Sequence, residues 1–381
     1  IMIIQSTRVW VSGQFMEAQI EMENGTITGI YTYGEKPVDA DYGTDRIVPG
    51  FIDVHTHGAY GFDTNDGDEE GLRNWVKRVP GDEGVTSILP ATITQSEEIL
   101  TKALENIVHV VESGYEGADI VGIHFEGPYL DTAYKGAQPE EFILDSDIEQ
   151  FERYVKASHN MIKIVTYAPE HDPDYRLTKY CAAHDIVASM GHSAANYKQA
   201  LLGVANGARS MTHVYNGMTA YNHREPNLVG AAMRFRDVYG EIICDGCHSS
   251  LVAVNNLFAA KGRDYTVMIS DSLRPKGLPQ GIYTSGGLEI EVYPDGSAHL
   301  TSGKKPLAGS TLQINRGLQI LVEKAMIPFD AALNSCTINP ATMLRIDNKK
   351  GKLMAGHDAD IVVLADNYDI VQTYCKGTAM K

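Results

Sequence analysis

Phe51-Ile52-Asp53-Val54-His55-Thr56-His57 reads as a short buried strand that ends in two imidazoles. Side chains at i and i+2 lie on one face of a strand, so His55 and His57 point the same way. Seven more short apolar runs follow, at about 85–90, 120–126, 162–168, 186–192, 209–213, 240–245 and 266–271. Helical patterns lie between most of them, for example 97–111 before Gly114, 197–204, and 251–260 before Gly262. Eight consecutive strand–helix units predict an α/β protein whose residues 48–340 close into a (β/α)8 TIM barrel. A doubly wound sheet is the rival, but it rarely needs eight units in a row.

Outside that stretch the pattern changes. Arg8-Val9-Trp10-Val11, Gln19-Ile20-Glu21-Met22 and Ile27-Thr28-Gly29-Ile30 alternate in period two, with a hairpin signal at Glu23-Asn24-Gly25. The alternation resumes at Asp360-Ile361-Val362-Val363-Leu364 and Ile370-Val371-Gln372-Thr373-Tyr374. Residues 1–47 plus 341–381 are therefore expected to form one small β-sandwich domain. Within the barrel, 286–303 reads as a hairpin turned at Pro294-Asp295-Gly296, inserted before a last helix around 311–325.

The 381-residue chain is 43% apolar and 21% charged, ordinary for a soluble globular enzyme. No apolar run nears the roughly 18 residues that span a bilayer. Ile1-Met2-Ile3-Ile4-Gln5 lacks the flanks of a secretion signal, so a cytoplasmic location is expected. A net charge of −17 argues against nucleic acid and anionic membranes as partners, though not against a small anionic substrate. The five cysteines are scattered, which suits a reducing compartment. Cys244-Asp245-Gly246-Cys247 has no second pair and reads as two thiols near a strand end.

TIM-barrel chemistry sits at the C-terminal ends of the strands. Polar residues cluster at those ends: His55 and His57, Glu126, His192, His213 and Asp271, with Asp245 and His248 after the seventh strand. Imidazoles and carboxylates converging from several strands suit a first-row metal ion. Taken alone, Glu126 also fits a general base or an ion-pair partner, and His124 either orients a ligand or is a buried structural residue. His109, His159, His171, His184, His299 and His357 read as surface or structural. Gly191-His192-Ser193-Ala194-Ala195 lacks the last glycine of a nucleophile elbow. The loop after strand six, Tyr215-Asn216-Gly217-Met218 and His223-Arg224-Glu225-Pro226, offers backbone N–H groups, an amide and a guanidinium to an oxyanion, although Arg224 equally fits an ordinary surface residue.

These segments, together with Pro49-Gly50-Phe51-Ile52-Asp53-Val54-His55-Thr56-His57-Gly58, His124-Phe125-Glu126-Gly127-Pro128, Thr212-His213-Val214-Tyr215-Asn216-Gly217-Met218 and Leu307-Ala308-Gly309-Ser310, resemble the N-acetylglucosamine-6-phosphate deacetylases of the amidohydrolase superfamily. The resemblance implies Glu126, His192 and His213 as main metal ligands and His55 and His57 as the pair found in two-metal members. Asp271 is implied as catalytic base beside the metal, and Asn216, Gly217, His248 and Arg224 as sugar-phosphate contacts. Arg224 would reach in from the partner of a homodimer. One or two divalent ions are implied, zinc first, with iron, manganese or cobalt also suited. Relatives often carry a carbonyl-polarising histidine where Lys135-Gly136-Ala137-Gln138-Pro139 stands here; Gln138 donates a hydrogen bond but cannot become cationic. Lys163, near the start of strand four, is badly placed to bridge two metals as in dihydroorotase-like relatives. The expected reaction is deacetylation of N-acetylglucosamine 6-phosphate to glucosamine 6-phosphate and acetate. The alternatives are the galactosamine epimer, a cyclic amide, or a barrel without catalysis.

Overall fold

The computed structural model describes residues 1–381. Eight parallel strands, labelled in chain order, form the barrel: β1 Phe51–Thr56, β2 Val85–Thr92, β3 Ile123–Glu126, β4 Ile162–Tyr167, β5 Val187–Met190, β6 Ser210–Met211, β7 Tyr239–Ile243 and β8 Thr266–Ile269. Each pairs with the next. The last seam, between β8 and β1, closes differently at its two ends. At the mouth, Asp271 N–H donates to His55 O at 2.8 Å. At the floor, Ser335 and Cys336 are wedged in, their carbonyls accepting from Met268 and Ile52 N–H at 2.8 Å.

Outward strand residues such as Val85, Phe125, Val165, Met190 and Met268 join the surrounding helices in one core of 59 buried residues. Ile164, Val187 and Ile243 share strand faces with the buried polar residues Thr166, Ser189 and Glu241, and with Val267 and Ile269 form a separate core beneath the mouth. The helices begin where the sequence supplies caps: Ser96, Asn196 and Ser250 side chains accept from the first turns of Glu97–Ser113, Tyr197–Ala205 and Leu251–Lys261.

Several strands stop earlier than the apolar runs suggest. The run expected to continue to 192 ends at Met190, that to 213 at Met211, and that to 271 at Ile269. The reason is local: His192, His213 and Asp271 have φ of 49°, 28° and 48°, a left-handed conformation that cannot continue a ladder. The third run is split into Asp119–Ile120 and Ile123–Glu126. The expected hairpin is a three-stranded sheet, Gly281–Ser285, Leu288–Val292 and Ala298–Leu300, and the following helix is Ile314–Glu323.

Both ends of the chain enter one second sheet, ordered Thr26–Thr32, Gln14–Glu23, Met2–Val11, Arg46–Pro49, Ile361–Leu364, Ile370–Cys375 and Thr378–Ala379. Its halves face each other across Ile4, Ile20, Ile27, Ile47, Ile361 and Val363. The fold returns on itself where Ala359 N–H donates to Gly25 O at 2.9 Å. Only Gly50 separates Arg46–Pro49 from β1, so the sheet anchors the strand that carries His55 and His57. No helix is long and apolar enough to cross a membrane.

Candidate active site

Six of the expected residues meet at the barrel mouth, all buried. Glu126, at the end of β3, stands between two groups. Its Oε2 faces His192 Nε2 at 3.6 Å and His213 Nε2 at 3.5 Å. On the other side, His55 Nε2 lies 3.1 Å from Oε2 and His57 Nε2 lies 3.2 Å from Oε1. Asp271 completes this second group, its Oδ1 being 3.3 Å from His55 Nε2 and 3.0 Å from His57 Nε2.

Each imidazole is oriented by its other nitrogen. His192 Nδ1 donates to Tyr134 O at 2.7 Å, His213 Nδ1 to Asn216 O at 2.8 Å and His57 Nδ1 to Ala91 O at 3.0 Å. His55 Nδ1 donates to Glu241 Oε1 at 2.8 Å. A ring whose Nδ1 carries the proton presents a lone pair at Nε2. His192 and His213 nevertheless bring their Nε2 atoms to 3.2 Å of each other. Two facing lone pairs repel unless a proton or a metal ion lies between them. His55 Nε2 and Glu126 Oε2 are also buried without a hydrogen-bond partner, so the donor set fits metal ions in two positions that share Glu126.

Glu126 and Asp271 can also hold a proton on Nε2 of His55 and His57, which a metal ion must displace on binding. Burial alone would lower an imidazole, yet Glu126 and Asp271 hold His55 well above its ordinary value and His57 up at about 10. Burial likewise opposes ionised carboxylates, but the histidines pull Glu126 well below its usual range and Asp271 down to about 2. The mouth is built to hold two carboxylate charges against a positive partner.

Gln138 is buried, donates from Nε2 to Glu126 Oε1 at 2.9 Å, and accepts from Thr94 N–H at 2.9 Å. It touches Glu126 directly and is pinned by backbone on its other side. Asn216, Gly217 and His248 line the same cavity of about 340 Å³, which also meets Leu307 and Ala308. His248 Nδ1 is fixed by Asp245 Oδ2 at 2.7 Å. Gly217 has φ 61°, and a Cβ there would lie 2.9 Å from His192 Nδ1 and 3.3 Å from His213 Cε1. Arg224 stands apart: it is exposed and does not line the cavity of its own chain. Lys163 is the second residue of β4, at the far end from the mouth.

Glu241 is the residue that motif reading missed. It lies in β7, fully buried, and besides orienting His55 it accepts from His213 N–H at 3.3 Å. A lone carboxylate inside the apolar run Tyr239–Ile243 was the available signal. Carbonyl partners such as Tyr134 O carry no side-chain signature at all. His124 is a structural partner here, bridging Val54 O at 2.8 Å and Thr166 Oγ1 at 2.6 Å, and burial lowers it to about 4.

The amidohydrolase family matches the chain over residues 46–380. The chain belongs to that family. This amidohydrolase is 39% identical over 336 residues to the N-acetylglucosamine-6-phosphate deacetylase of Bacillus subtilis (strain 168), covering 87% of the chain and 83% of the relative. It is 30% identical over 365 residues to the N-acetylgalactosamine-6-phosphate deacetylase of Escherichia coli O157:H7, covering 96% and 95%. Among solved structures, an N-acetyl-D-glucosamine-6-phosphate deacetylase mutant from Mycobacterium smegmatis, in complex with N-acetyl-D-glucosamine-6-phosphate, superposes with a TM-score of 0.93 at 26% identity, over 100% of this chain and 99% of that one.

Proposed function

We propose that this amidohydrolase removes the acetyl group from N-acetylglucosamine 6-phosphate, giving glucosamine 6-phosphate and acetate. The observation that carries the reading is Glu126 set between two ligand groups, with Asp271 beside it, on the wall of a cavity that Asn216, Gly217 and His248 also line. Glu126, His192 and His213 would hold one divalent ion, and His55, His57, Glu126 and Asp271 a second; zinc is the first choice, with iron, manganese and cobalt also suited to these ligands. Such an ion, when bound, supplies Lewis acidity toward a water and a carbonyl.

The remaining work falls to the chain's own groups. Asp271 Oδ1 faces the imidazoles, which leaves Oδ2 to take the proton of the attacking water. The same carboxyl then returns that proton to the sugar nitrogen as the C–N bond breaks, because an amide nitrogen cannot leave unprotonated. Gln138 uses one Nε2–H on Glu126 and keeps the second for the oxyanion that develops on the acetyl oxygen. Asn216, Gly217 and His248 contact the sugar phosphate. Arg224, exposed in its own chain, is assigned to the phosphate of a neighbouring subunit's substrate, which requires a homodimer.

The direct test is acetate release from N-acetylglucosamine 6-phosphate with and without a chelator; no release from the metal-loaded protein would overturn the reading. The Escherichia coli relative supports a second reading, the galactosamine epimer, and the ratio of kcat/KM on the two epimers decides between them. Mixing Arg224→Ala with Asp271→Asn protein tests the shared site. If the arginine acts across a dimer, each mixed dimer regains one intact site; if it acts within its own chain, mixing restores nothing.

A further inference from the structure

β4 contributes to neither ligand group, yet the turn at its mouth, Pro169–His171, contacts both the loop after β3 and the residues after His192. His171 lies between two carboxylates, with Nε2 2.8 Å from Asp131 Oδ2 and Nδ1 2.8 Å from Asp145 Oδ1. An imidazole with an acceptor on each nitrogen carries a proton on both. Burial opposes that charge, but Asp131, Asp145 and Glu170 together raise its pKa.

Asp131 and Asp145 lie near the two ends of the loop, residues 127–147, that follows β3. What this loop gives the centre lies between them: Tyr134 O, which accepts from His192 Nδ1, and Gln138, which donates to Glu126. A second tie, Ser146 N–H to His171 O at 2.9 Å, reinforces the clamp. Glu170 reaches the other way. Its Oε2 accepts from Ser193 Oγ–H and its Oε1 from Ala194 N–H, both at 2.6 Å, fixing the two residues after His192. Asp131 N–H donates to His192 O at 2.9 Å and closes the circuit. His192 is thus held through its ring, its carbonyl and its following residues by groups that one turn of β4 organises.

Resting on the metal-centre reading above, we propose that Glu170 and His171 are positioning residues that keep His192 and the loop carrying Tyr134 and Gln138 in register with Glu126. Neither lines the cavity at the barrel mouth. Partners that orient a metal-bound histidine directly are worth about 10–100-fold in affinity or activity, and a residue acting one contact further out belongs at the low end.

The test uses the zinc-loaded full chain with His171→Gln and Glu170→Gln, and His159→Gln as control, since His159 pairs with Glu112 on the surface at 2.7 Å. The rate at which a chromophoric chelator strips zinc is measured together with kcat, KM and Tm. Both site variants are expected to lose zinc about tenfold faster and to show kcat lowered about tenfold with KM within twofold, while the control behaves as wild type. Wild-type stripping rates in both variants, or faster stripping that only follows a lowered Tm, would overturn the proposal. Glu170→Gln preserves side-chain volume and keeps the test open should His171→Gln fold poorly. Zinc loss is read without substrate, so failure of the deacetylase reading is seen separately.

Discussion

Replacing Asp271 with asparagine separates proton transfer from architecture. The backbone of Asp271 is tied by its own N–H to His55 O and by its carbonyl to Ser310 N–H, both at 2.8 Å, and neither bond involves the side chain. Asparagine is isosteric and can keep an oxygen where Oδ1 stands, 3.0 Å from His57 Nε2. It cannot accept a proton, whereas the native carboxyl is held down at about 2 and is fully ionised at neutral pH. General acid–base catalysis contributes about 10²–10⁴-fold, and in the proposed reaction one group serves both transfers, so kcat should fall by about 10³-fold, or about 4 kcal/mol of barrier. Acetate release should be assayed at saturating substrate with metal content and Tm measured on the same sample. Excess metal should not restore the rate. A variant that keeps kcat within tenfold of wild type at full metal content, or one that excess metal rescues, would refute the proton-shuttle assignment and leave Asp271 a ligand only.

Gly217→Ala places a methyl group 2.9 Å from His192 Nδ1 in a backbone with φ 61°; kcat should drop at least about tenfold with weakened zinc retention, read by chelator competition. Chelated protein should lose activity yet keep its far-UV circular dichroism, because the barrel core does not depend on the mouth residues; zinc, manganese, cobalt or iron added back singly will show which ions restore turnover. Lys276→Met strands Glu83, whose Oε2 lies 2.7 Å from Lys276 Nζ with both side chains buried, and should cost about 3–5 kcal/mol in urea denaturation. Replacing Glu83 with leucine as well should recover most of that loss, since a buried pair is worth little more than apolar side chains of similar volume.

The barrel was legible because its strands are nearly continuous apolar runs separated by helices with recognisable caps. Strand ends were less so. Apolar periodicity extends through Gly191, Thr212 and Ser270, but the backbone turns left-handed at the very next residue in each case. Asp and His adopt that conformation more often than most residues, but too seldom for His192, His213 or Asp271 to announce the turn. The cluster of six polar side chains at the mouth was readable from His55-x-His57 and the polar ends of four other runs. What orients it was not: Tyr134 O, Asn216 O and Ala91 O are main-chain atoms, available at any residue type. His171 shows the converse limit. As a sequence it is one more surface histidine; its place between Asp131 and Asp145 exists only after β3 and β4 pair side by side.

Glu126 has one negative charge and two clienteles. A cation settling beside His192 and His213 would draw on the charge that a second cation beside His55 and His57 also needs. The first arrival therefore meets the stronger field and the later one a field already partly neutralised. Loading should be anticooperative: a metal titration should resolve into a tight step and a weaker one, with a half-loaded form dominating when the ion is scarce. Activity would then track metal supply in two stages, and the sharing of a single carboxylate would set how far apart those stages lie.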